Sequence, residues 1–158
     1  MASDIFAKIG DIKGESLDDK HKDEIEVLSW SWGVSNPGSR GGGSGGGAGK
    51  ATFHDLSFTH HIDKASPLLL KGCATGQHLK EATITHRKAG KGQQEFLIIK
   101  MNDVIITSVS NGESQDSHVE SVSLAFAKVD LEYKPQKRDG SLDAGIHFKY
   151  DIKGNKEG

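Results

Sequence analysis

The chain has 158 residues, 34% of them hydrophobic, with 20 basic against 22 acidic side chains and a formal net charge of -2. That length predicts one domain with its own core, because a chain of this size buries roughly two-thirds of its unfolded surface. Charges of both signs are interspersed along the chain, which argues against a nucleic-acid partner, and the single cysteine, Cys73, excludes an intramolecular disulfide framework.

Met1 to Lys13 carries Asp4, Lys8 and Asp11 and has neither the apolar run nor the small-residue cleavage site of a secretory signal. No segment approaches the ~18 apolar residues of a membrane span. The expectation is a chain made in the cytoplasm without membrane insertion, so that any export uses a route without a signal peptide.

Ile5, Ala7 and Ile9 alternate with Phe6 and Lys8 and predict a first short strand that ends at Gly10-Asp11. Asp11 to Asp23 is polar and reads as a loop. Ile25 to Ser35 predicts one strand, with Leu28, Trp30, Trp32 and Val34 on the core face and Val27, Ser29, Ser31 and Gly33 on a small, polar face.

Asn36 to Lys50, N-P-G-S-R-G-G-G-S-G-G-G-A-G-K, holds eight of the 20 glycines and no large apolar residue. Such a stretch has nothing with which to offset its ordering entropy by burial. It interrupts two strand-like segments, so it is an insertion within one domain, either idle or ordered by something outside the monomer. In the strand that follows, Thr52, His54, Leu56, Phe58, His60 and Ile62 share one face, and Phe53, Asp55, Ser57, Thr59 and His61 the other. The alternation leaves the inward face open.

Ser66-Pro67 supplies a helix N-cap and a proline at the first helical position; Leu68, Leu69, Gly72 and Cys73 recur at helical spacing, and Gly76 ends the helix. Strands return at His78 to Lys88, Glu95 to Met101, Val104 to Ser110, His118 to Tyr133 and Ala144 to Ile152. Turns are expected at Ala89 to Gly92, Asn102-Asp103, Asn111-Gly112 and Asp139-Gly140. Some eight strands and one short helix predict a mostly β fold, a barrel or sandwich with the helix on its flank.

Three constellations invite chemistry. Gly45 to Lys50 resembles a phosphate loop, but Ser44 stands where the first glycine belongs, Ala51 where a magnesium-binding hydroxyl belongs, and a strand follows where a helix is required. His54 and His60 share a strand face roughly 20 Å apart, too far to chelate one ion, so these histidines and His61 read as surface residues. Cys73 reads as a small packing residue without a nearby base, and Asp63 and Lys64 as helix-start and surface residues. No catalytic, cofactor or metal residues are assigned, and an enzyme is not expected.

Several segments in order and at matching spacing carry a family resemblance. They are Phe6-Ala7-Lys8-Ile9-Gly10-Asp11-Ile12-Lys13-Gly14-Glu15-Ser16, Val27-Leu28-Ser29-Trp30-Ser31-Trp32-Gly33, the glycine tract into Gly49-Lys50, Asp55-Leu56-Ser57-Phe58-Thr59, Ile62 to Pro67, Phe126-Ala127 and Tyr133-Lys134-Pro135-Gln136. With these the chain resembles the haemolysin-coregulated protein (Hcp) family, tube subunits of bacterial type VI secretion. The resemblance implies a compact β-barrel of two antiparallel sheets with one short flanking helix, a single domain over residues 1–158 with the glycine-rich loop 36–50 inserted. It also implies a homo-hexameric ring that stacks into a tube inside a contractile sheath beneath a spike protein, and that binds and chaperones effector proteins in its channel before secretion. On that reading Arg40, Gly41, Gly42, Gly43, Gly46 and Lys50 form a ring-stacking or subunit-contact loop, and Ser29 and Ser31 lie on a lumen or cargo face. The alternative is a monomeric β-sandwich binding module with the glycine-rich loop as a ligand lip.

Overall fold

A computed structural model describes residues 3–38, 50–88 and 92–158. In chain order its elements are β1 (Ser3–Ile9), β2 (Ile25–Glu26), β3 (Ser29–Ser31), β4 (Val34–Ser35), β5 (Thr52–Phe53), β6 (Leu56–His61), α1 (Ser66–Thr75), β7 (His78–Lys88), β8 (Glu95–Ser114), β9 (Ser117–Tyr133), β10 (Ile146–Asp151) and β11 (Lys156–Glu157). Two antiparallel sheets result. The larger runs β11-β10-β9-β8-β7-β1-β2, with β6 also paired to β9 and β3 to β6, while β4 and β5 form a two-stranded sheet.

The expected barrel is not closed. Val27 N–H donates to Ile5 O at 2.9 Å and the next residue, Leu28, donates to Thr59 O at 2.8 Å. The chain thus passes from one margin of the curled sheet to the other, and no continuous ladder joins them.

That corner also corrects the single strand expected over Ile25 to Ser35, which divides into β2, β3 and β4 with three different partners. Ile25 and Val27 are buried before the corner and Trp30 and Trp32 pack against the core after it, so the inward face changes phase. Leu28 and Val34, expected in the core, are about half exposed at 49% and 50%. Unbroken period 2 fails where a segment changes partners.

The two longest strands, β8 and β9, form a hairpin from Leu97 opposite Tyr133 to Ser114 opposite Ser117. Two expected turns fall inside it. Asn111 and Gly112 pair with Glu120 and Val119, so the reversal comes later, at Gln115-Asp116. Asp103 adopts a φ of 55° without reversing the chain. Aspartate tolerates this left-handed geometry better than most residues. The core face of β8 changes there, from Ile99 and Met101 to Val104 and Ile106, so one strand serves two parts of the core. The turn at Asp139-Gly140 forms as expected, with Gly140 N–H donating to Lys137 O at 3.0 Å.

Helix α1 starts on Ser66 with proline in its first turn, but its N-cap is Ala65 and not Ser66. Asp63 Oδ1 accepts from the Ala65 N–H at 2.8 Å, while Ser66 Oγ accepts from the Asp63 N–H at 3.1 Å. Ser66, Leu69 and Gly72 are buried, and Leu68 faces outward. A Cβ on Gly72 would stand 3.0 Å from Ile106 Cδ1, so the absent side chain lets α1 lie close to β8. Gly76 ends the helix at φ 66°, its N–H donating to Cys73 O at 3.3 Å and the next N–H, of Gln77, to Gly72 O at 3.0 Å.

Leu56, Phe58, Leu69, Ile84, Ile99, Met101 and Leu124 are fully buried at the centre of the core. Each such side chain contributes about 1.5–3 kcal/mol of transfer free energy. Trp32, Phe53, Phe148 and Tyr150 close the β10 side with ring centroids 5.0 to 6.4 Å apart.

Candidate functional site

Four strands place short hydroxyl side chains on one face. In β6, Leu56, Phe58 and His60 point into the core, which decides the face that the alternation left open, and Ser57 and Thr59 point away from it. In β9, Val122 and Leu124 are buried and Ser121 and Ser123 alternate with them. The sheet register turns these alternations into rows. One row runs Ser31, Ser57, Ser123, Ser108 and the next runs Ser29, Thr59, Ser121, Ser110 across β3, β6, β9 and β8.

Neighbours in these rows bond to each other. Ser29 Oγ lies 2.6 Å from Thr59 Oγ1, and Ser57 Oγ lies 2.8 Å from Ser123 Oγ. No charge and no side chain longer than threonine interrupts the eight positions. Beside them, an extra residue in β8 between Ile106 and Ser108 projects Thr107, whose hydroxyl donates to Asp55 Oδ2 at 2.6 Å. Such a face offers hydrogen bonds without selecting the sign of charge, and its short side chains let another surface approach the sheet.

Ser29 and Ser31 thus belong to this face. The other six hydroxyl positions escaped sequence reading because their rows join strands distant in sequence. Lys50 is exposed. Arg40, Gly41, Gly42, Gly43 and Gly46 lie outside the described residues, as do most of the residues of the rejected phosphate loop.

Beneath the hydroxyl rows sits a pair that corrects the surface assignment of His60. His60 and Glu120 are both fully buried, and His60 Nε2 donates to Glu120 Oε1 at 2.8 Å. Glu120 Oε2 accepts from Asn111 Nδ2 at 3.0 Å. His60 Nδ1 has no hydrogen-bond partner and stands 3.7 Å from Asp63 Oδ2. Burial pushes the Asp63 carboxyl above the ordinary aspartate range. Alternation with Leu56 and Phe58 was the signal that His60 faces inward. His54 and His61 are exposed, as expected.

A second polar cluster fixes the loop between β1 and β2. Arg87, 2% exposed, donates through both terminal nitrogens to Asp18, with Nη1 to Oδ2 at 2.8 Å, and through Nη2 to Asp4 Oδ2 at 3.3 Å. The Arg87 hydrogen bonds hold the Asp18 carboxyl well below the usual range, at about 2. The Arg87 guanidinium lies 4.9 Å from the Phe6 ring centre, and the His21 ring stacks on Phe6 at 4.5 Å. His21 reaches Glu24 at 2.8 Å and Glu95 at 2.7 Å. The sequence showed these residues only as loop and strand charges, because their meeting depends on the β1–β7 pairing.

Among the described residues, no three metal-ligating side chains converge. Cys73 is half-buried and packed against the core.

The family model for "Type VI secretion system effector, Hcp" matches residues 6–133. The chain belongs to the Hcp family. It is 50% identical over 159 aligned positions to Protein hcp1 of Pseudomonas aeruginosa, covering 98% of each chain. The crystal structure of Hcp1 from Salmonella typhimurium is 42% identical, covers 99% of both chains and superposes with a TM-score of 0.82. The structure of a further type six secretion system protein, 30% identical, gives 0.89 over 98% of this chain and 99% of its own. The Hcp fold is therefore carried by the whole described chain. Among those residues no helix is long and apolar enough to cross a membrane.

Proposed function

We propose that this Hcp chain is a structural tube subunit: it closes into homo-hexameric rings that stack, with the hydroxyl rows of β3, β6, β9 and β8 on the channel wall. The observation that carries this reading is the two-row Ser/Thr face on a chain of the Hcp family. An uncharged, short-chained wall suits a channel that holds effector proteins of varied charge and releases them. The cargo is held by hydrogen bonds to hydroxyls and backbone, and the chain acts as carrier and not as an enzyme. Ring closure uses two different patches of each subunit. We assign the tract around Arg40, Gly41, Gly42, Gly43, Gly46 and Lys50 to contacts with neighbouring subunits or rings. The assembled tube meets a spike protein and a contractile sheath and leaves the cell through the type VI machine.

Native mass spectrometry and electron microscopy of the purified protein test the assembly. Discrete six-subunit particles with an open centre are expected. A monomer at micromolar concentration overturns the ring and favours a monomeric binding module. Ser31→Glu tests the wall: the variant is expected to fold as the parent does and to retain less co-expressed effector.

A further inference from the structure

Leu17 is 90% exposed, whereas the other exposed large hydrophobic residues among those described range from 37% to 66%. Its surroundings are fixed. Ser16 before it is buried, with its N–H donating to Glu24 O at 3.0 Å and its O accepting from the Asp23 N–H at 2.9 Å. Asp18 after it is held by the buried Arg87. A leucine presented to solvent on an immobilised backbone has little ordering entropy left to lose on binding, which is the property of a preorganised contact residue.

A receptor of matching chemistry exists on the same molecule. Between α1 and the facing ends of β1 and β7 lies a groove of about 710 Å³ whose lining includes Ile12, Leu68 and Leu79, with Lys8, Lys71 and Lys80 around them. Two carboxylates, Asp11 and Glu81, also line it, so cations are in excess. The exposed carboxylates of Glu15 and Asp19 stand within two residues of Leu17 in the chain, Asp18 is neutralised by Arg87, and the exposed Lys20 lies one residue beyond Asp19.

Knob and groove lie at opposite ends of β7. Arg87 anchors the knob near one end and Leu79 lines the groove near the other, about 26 Å away at roughly 3.3 Å per residue. One copy therefore cannot fill its own groove, while a second copy can, in a head-to-tail contact between two different patches. We propose that Leu17 is a docking knob that seats in the α1–β1–β7 groove of a second copy of this chain. The proposal rests on the self-assembly reading above and names a contact within it.

The test combines a disruption with a cross-link. Leu17→Asp should fold as the parent does by circular dichroism, because the side chain makes little contact within the protomer, and should self-associate about tenfold more weakly by sedimentation. In a Cys73→Ser background, a Leu17→Cys chain mixed with a Leu68→Cys chain should give a disulfide-linked dimer under mild oxidation, and neither chain alone should. Assembly of the parent with undiminished assembly of Leu17→Asp, or with no cross-link, overturns the knob and leaves the ring reading intact. A parent that stays monomeric overturns both.

Discussion

Replacing Glu120 by leucine while leaving His60 in place removes one half of a pair in which both side chains are fully buried and 2.8 Å apart. His60 Nδ1 already lacks a partner, so the variant leaves the whole imidazole without a hydrogen bond inside the core. Removing one member of a buried pair costs about 3–5 kcal/mol, a large part of the roughly 5–15 kcal/mol that hold a domain folded. At roughly 2–4 °C per kcal/mol for a chain of this size, the melting temperature should fall by about 6–20 °C. The double replacement His60→Leu/Glu120→Leu swaps both polar groups for apolar ones of comparable volume, and the exposed Asn111 amide turns to water. It should melt near the parent. Calorimetry of the four proteins at one protomer concentration closes the cycle, since assembly shifts the melting temperature with concentration. A Glu120→Leu loss below about 1 kcal/mol, or a double variant no better than the worse single one, refutes the reasoning.

Three further outcomes are expected. The Asp18 carboxyl is depressed to about 2 from 3.8, so its pairing with Arg87 stabilises the fold above about pH 4 and is lost as pH falls through about 2. Acid titration should therefore release amide protection in residues 14–24 across that window, and Asp18→Asn should remove this step from the profile. Gly14→Ala places a Cβ 2.6 Å from Glu24 O and 2.8 Å from Ile25 Cα, both backbone atoms, and should cost about 1–3 kcal/mol in urea unfolding. Gly76→Ala meets open space, so only its left-handed backbone at φ 66° is penalised, and a loss of about 1–2 kcal/mol is expected.

Most of the strand content was legible in the sequence because alternation is local: β6, β7 and β10 fall within segments read as strands, and β1 extends the alternation read from Ile5 to Ile9 back to Ser3. The helix and its glycine stop were legible for the same reason, since proline and glycine restrict the backbone wherever they stand. Asn102-Asp103 and Asn111-Gly112 misled because turn-forming residues permit a reversal without requiring one, and both lie within a hairpin whose pairing is set from Leu97 to Ser114.

The sequence by itself determined the family, the β-rich fold and two of the hydroxyl positions, Ser29 and Ser31. Tertiary structure decided which of the remaining polar residues share a surface. The register joins Ser31, Ser57, Ser123 and Ser108 from four strands into one row, although no two of them are closer than 15 positions in the chain. It also decided the fate of charged residues that look alike in sequence. Glu120 is buried because its strand turns it toward His60, and Arg87 because the loop carrying Asp18 folds over it, whereas Asp19 stays in solvent beside Leu17. Burial of a charge requires a partner at hydrogen-bond distance, and those partners lie 60 and 69 residues away in the chain.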